Sequence, residues 1–299
     1  MAVTIYRWDD ASAPVLNGTA GSLIALLDAC LVTGYGAKAS SGWTKPYTGT
    51  NIAAFRMPAG TNQHYLRVND TTTTYAIARG YETMSDVNTG TGDFPTVAQM
   101  ANGIYTVKSN TADTVARNWV LACNGPIFYL FVDALTTGIY INGTCFGQIV
   151  SYKVGDVYGT VIVGNNSTTY TSHIFQNLVN TGGGILTAHY LARTYTQLGT
   201  SIACGKGADA SKANQTTMGA NGLTYPHPVD GGLWIAPLSV AESSSVLRGS
   251  LPGVWSPLHA RPLNHLDTFS GTGGAAGKTF LALNIYSNGQ VLLETSNTW

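Results

Sequence analysis

Charge is what this sequence has least of. Only 10% of its 299 residues are Asp, Glu, Lys or Arg, against about 25% in a typical soluble domain. Fifteen basic and 15 acidic residues cancel to a formal net charge of zero. A free monomer usually keeps its net charge away from zero to resist association, so this balance points to a chain that either sits in a fixed assembly or tolerates association. No run of basic residues occurs, which argues against a phosphate-neutralising, nucleic-acid-binding surface. No apolar stretch reaches the roughly 18 residues of a membrane-spanning helix; the longest, Leu23 to Val32, contains Asp28. The opening residues lack the basic and apolar regions of a secretion signal, so synthesis in the cytoplasm without membrane insertion is expected. Cysteine is also scarce. Cys30, Cys123, Cys145 and Cys204 stand far apart without a C-x-x-C pair, which predicts buried reduced thiols rather than a disulfide framework or zinc site.

What is present is Gly, Thr, Ser, Asn and aromatics: 35 Gly, 16 Tyr, 8 Phe and 6 Trp. This mixture suits strands and tight turns, and its aromatic content excludes disorder. The expected fold is mainly β with minor α, an α+β chain of antiparallel, sandwich-like sheets. One amphipathic helix is predicted near the N-terminus, where Leu23, Leu26, Leu27, Cys30 and Leu31 repeat at helical spacing. Ser22 is placed to cap it and Gly34 to end it. Strands are predicted over Asn51–Met57, His64–Asn69, Tyr75–Tyr81, Ile104–Lys108, Arg117–Cys123 and Ile127–Val132, the last two joined by Asn124-Gly125-Pro126. Gly147–Val154 and Val157–Val163 read as a hairpin turning at Gly155-Asp156, and Ile185–Thr196 as a long β-segment. Ser85–Pro95, Asn165–Thr169 and Gly205–Gly222 read as loops, and Val97–Asn102 as a short helix. A C-terminal hairpin, Thr279–Tyr286 with Val291–Thr295, is marked by Asn288-Gly289. The helix-containing region 1–110 and the mainly β region 111–299 are the expected divisions.

Chemical motifs fall short. Gly271 to Thr279 ends like a phosphate-binding loop, but the glycine that motif requires is Thr272, and a hairpin strand follows where a helix should; a flexible glycine loop is expected. His259, His265 and Asp267 lie near one another, yet Pro257 and Pro262 prevent one helix from presenting them. Gly249 to Gly253 misplaces the serine of a nucleophile elbow and follows it with Pro252. Asp9 and Asp10, read as neighbours on a strand, point to opposite faces and cannot share chemistry. The Asn-x-Ser/Thr triplets at Asn17, Asn69, Asn142, Asn165, Asn166 and Asn214 read as turns. Tyr225 to Pro228 reads as a rigid turn around His227. No catalytic residue, metal site or cofactor is predicted. The region Pro226 to Pro262 is read either as an extended arm or as an irregular loop folded on its own core. In the first reading Trp234, Leu251, Trp255 and Trp299 are candidate subunit-interface residues, because aromatic anchors dominate interfaces.

Several segments resemble an uncharacterised group of virion structural proteins from tailed bacteriophages: Tyr6 to Leu16, Gly34 to Lys38, Gly42 to Lys45, Arg248 to Gly253 and Glu294 to Trp299. The resemblance runs the length of the chain and carries no catalytic motif. It implies a multi-copy particle component of the tail, baseplate or neck, located in the virion, whose partners are other virion proteins and copies of itself. The alternatives are a receptor- or carbohydrate-binding spike that contacts host glycan and a capsid decoration protein; further down stands an envelope-degrading enzyme.

Overall fold

A computed structural model describes residues 3–140, 142–169, 188–206, 224–242, 246–259, 262–285, 290–297 and 299, with Ser201–Lys206 described through its backbone alone. The chain is mainly β, in antiparallel sheets, with one short α-helix. In chain order, β1 (Thr4–Arg7) precedes α1 (Ser22–Asp28), which continues as one π-turn over Ala29–Thr33. A five-stranded meander follows, made of β2 (Thr44–Gly49), β3 (Ile52–Arg56), β4 (Tyr65–Asn69), β5 (Tyr75–Tyr81) and, after a small hairpin of β6 (Thr83–Asp86) with β7 (Thr89–Thr91), β8 (Ile104–Val107). In β4, Leu66 and Val68 are buried while Tyr65, Arg67 and Asn69 are not, the alternation of a sheet with one face on a core.

The second sheet starts from β1, which pairs with β9 (Asn118–Cys123), and proceeds through β10 (Ile127–Asp133), β11 (Asn142–Gln148), β13 (Thr160–Val163) and β14 (His189–Leu191). β12 (Val150–Ser151) leaves this sheet to pair with a later strand. Every residue of β10 is buried, which an antiparallel sheet shows only when both faces are covered. One face, with Trp119, Leu121, Phe128, Leu130 and Phe146, packs against α1 and the meander. The other, with Val120, Ala122, Tyr129, Phe131 and Val161, packs against a third layer. That layer contains β16 (Ile235–Glu242), β17 (Val246–Pro257), β18 (Thr268–Ser270), β19 (Thr279–Asn284) and β20 (Gln290–Glu294). β15 (Ser201–Lys206) turns the corner between layers: Ser201 and Ile202 pair with β14, while Ala203–Lys206 pair with β16. Residues on both sides of position 110 share the first core.

The helix buries the five predicted residues, but its cap differs. Gly21 precedes it in a left-handed conformation, and Ser22 Oγ bonds back to the carbonyls of Asn17 and Thr19. The free N–H groups of Leu23 and Ile24 are taken by the carboxylate of Asp70, which no local pattern announces. Gly34 ends the helical segment at positive φ.

The structure corrects several other expectations. Ser85–Pro95 includes the β6–β7 hairpin, and Val97–Asn102 forms turns rather than a helix. The β11–β13 pairing replaces the predicted hairpin at Gly155-Asp156; β11 was hidden because its run, Asn142 to Gln148, is polar and glycine-rich. Asn142 is therefore a strand residue, and Asn165 is buried and bridged to Tyr105, whereas Asn17 and Asn69 each accept bonds from the Thr two residues on, as Asx turns. Asp9 and Asp10 lie in the turn after β1, not on it. Within the region Pro226 to Pro262, Ile235–Glu242 and Val246–Pro257 are long paired strands, β16 and β17, while 226–234 is turn and irregular chain. Pro237, Pro252 and Pro257 disguise them, since proline argues against a paired strand, and the register shift between Pro237 and Ser239 takes Pro252 into the bulge opposite. The last hairpin pairs β19 with β20, Asn284 facing Gln290; the turn at 286–289 lies outside the described residues. So do 185–187 of the predicted long segment, of which His189–Leu191 is strand, as well as 207–222 and Asn214. Cys30, Cys123 and Cys145 are free, buried thiols; the side chain of Cys204 lies outside the description.

Candidate binding groove

Two of the four candidate interface residues come together on the outer face of the third layer. The groove, about 450 Å³ in volume, runs between Trp234 just before β16, Trp255 in β17, Phe269 in β18 and the Gly271–Ala275 loop. Its floor is a small apolar cluster on the solvent side of the layer, where Phe280 stacks on Phe269 and meets Trp255 edge-on. The Trp255 indole donates to Glu294 Oε2 at 3.1 Å, and Lys278 Nζ binds both Glu294 oxygens at 2.9 Å. A carboxylate that is 1% exposed therefore fixes the ring from behind. Trp234 is 44% exposed. His227 stacks on it, and its indole donates to Asp230. The Gly232 N–H, that indole and His227 hold the Asp230 carboxyl below its ordinary range. The predicted glycine loop forms the fourth wall: Gly273–Ala275 is a single 3-10 turn between β18 and β19.

The other two candidates lie elsewhere. Leu251 is 2% exposed, inside the core between the second and third layers. Trp299 is half-buried and packs against that same core beside Tyr129. His259 is buried, with Nε2 accepting from the Trp234 backbone N–H. His265 stacks on Tyr140 and accepts from Asn284 N–H. Asp267 caps the turn at Asn264. The three thus serve separate backbone contacts. Ser250 stands in β17, paired to both Ser239 and Val150.

The scarce charges are used internally. Twelve of the 15 Lys and Arg side chains are described, those of Lys206, Lys212 and Arg261 lying outside. Nine of the 12 pair with carboxylates. The other three, Arg56, Arg67 and Lys153, bond to Gln63, to Val87 and Asn88, and to Tyr195. Among the described carboxylates, the three outside ion pairs, Asp86, Asp133 and Asp267, accept backbone N–H bonds. Arg248 is fully buried. It binds Asp156 through two nitrogens and Glu242 through the third. Burial works to raise the Asp156 carboxyl, but bonds from Arg248 and Ser151 outweigh it and hold it low. The network was missed from sequence because Arg248 and Asp156 stand 92 residues apart. No group of three or more His, Cys, Asp or Glu is arranged to hold a metal among the described residues, and no described helix is long and apolar enough to cross a membrane. In comparison with known proteins, no family model matches the chain and no curated protein matches it.

Proposed function

We propose that this chain is a structural subunit of a tailed-phage particle, in its tail, baseplate or neck, joined to copies of itself and to other virion proteins through uncharged surfaces. One observation carries the reading. Every Lys, Arg, Asp and Glu side chain that is described is bound within the chain, so the surface carries few unpaired charges beside its hydroxyls, amides and aromatics. Such a surface favours lasting contacts over the charge repulsion that keeps monomers apart. The groove where Trp234 stands exposed beside Trp255 supports the same reading, a pairing of the residue type that most often anchors interfaces.

Mass spectrometry of purified particles tests the proposal. The chain is expected as a stoichiometric component that resists washing in high salt. Its absence from intact particles would sink the idea.

A further inference from the structure

A second cavity, about 430 Å³ in volume, opens at one end of the core between the second and third layers. The β9–β10 turn, the segment after β11, the bulge of β17 and the final tryptophan enclose it, and β12 ties the two layers together beside it. Three of its walls have unspent binding capacity. Trp299 presents a flat ring held from two sides: its indole N–H donates to the Glu294 carbonyl at 3.0 Å, and the ring lies on Gly253. Gly253 has φ +71°, and a Cβ there would come within 2.3 Å of the ring, so no side chain could take its place. Asn124 is 8% exposed, yet its carboxamide oxygen has no hydrogen-bond partner among the described residues. Buried amides are nearly always satisfied, and one left unsatisfied on a cavity wall points to a ligand. Gln148 accepts from Asn62 N–H through its carbonyl, which leaves its NH₂ end for a ligand. Of the two charged groups at the cavity, only Asp156 is paired with an opposite charge. Asp156 is held by Arg248 and Ser151, and Lys153 Nζ by the Tyr195 carbonyl.

We infer that this cavity binds a neutral pyranose unit of a glycan. An aromatic ring suits the apolar C–H face of a sugar, and two primary amides suit its vicinal hydroxyls. The volume falls within the range of small-ligand sites, roughly 300–1,000 Å³. The inference stands on the cavity alone and does not depend on the virion reading.

Saturation-transfer NMR on the full chain tests it, with methyl glycosides of glucose, galactose and mannose, with N-acetylglucosamine, and with glucuronate and uridine as comparison ligands. Transfer to the C–H protons of at least one neutral sugar is expected, with affinity weakened tenfold or more in Asn124→Ala and in Gln148→Ala. Near-ultraviolet circular dichroism checks that the variants fold. Asn124→Asp, of the same shape, replaces Asn124→Ala if that variant does not. No transfer to any neutral sugar, transfer only to uridine or glucuronate, or undiminished binding by the folded variants would each overturn the inference.

Discussion

His64 shows how one side chain couples the layers to pH. It is 4% exposed, meets Phe94 edge-on and stacks on Tyr158, which also carries the Arg193 guanidinium at 4.2 Å. Arg193 in turn forks onto both oxygens of Glu82. Burial lowers the His64 imidazole to about 4; Arg193 adds to the effect, and Glu82 and Asp156 oppose it. In the unfolded chain an imidazole titrates near 6.5. Between those values the unfolded state binds the extra proton, so stability is full above about 6.5 and falls as pH drops towards 4. The loss is on the order of 3–4 kcal/mol at about 1.4 kcal/mol per unit. Urea denaturation at a series of pH values should show this component in the wild type and its absence in His64→Phe. Identical pH profiles would refute the assignment.

At the scale of the element, α1 depends on partners far along the chain. Seven residues make too short a helix to persist alone. Its apolar stripe is local and was legible as a period, whereas its cap was not, because Asp70 reaches it from the turn after β4. Asp70 is itself paired with Lys108, both fully buried. Burial pushes the Asp70 carboxyl up and the Lys108 ammonium down, and the pairing counters each shift. Removing one partner leaves the other charge uncompensated, so Asp70→Asn should destabilise by about 3–5 kcal/mol. The double variant with Lys108→Met should lose less than the sum of the two single changes, a coupling that a denaturation double-mutant cycle measures. Strict additivity would mean that the pair contributes nothing. The same contrast holds for strands. β5 and β10 were readable from their own β-forming residues, while β16 and β17 were concealed by prolines that the bulge accommodates.

For the whole molecule, the internal use of charge predicts how copies associate. Sedimentation velocity at increasing protein concentration should reveal self-association. Because that association rests on uncharged contacts, its constant should change little between low and high salt, unlike contacts between exposed charges, which are screened beyond about 10 Å at 0.1 M. Trp234→Ser, which alters an exposed ring and no core residue, should weaken it severalfold. A strong salt dependence would contradict the surface chemistry proposed here.

The sequence by itself determined the class of the protein: a β-rich, neutral chain with one amphipathic helix, in which composition and short-range period dictate which segments extend and which coil. These are local properties, set by the preferences of neighbouring residues. Only the tertiary structure decided that the second sheet is covered on both faces, that β15 turns the corner between layers, and that Trp234 and Trp255 share a groove while Leu251 is buried in the core. It also decided where the few charges end. Arg248 with Asp156, and Lys108 with Asp70, are ion pairs between residues 92 and 38 positions apart. The electrostatic need to pair a buried charge applies across space, and no pattern along the chain records which partner will satisfy it.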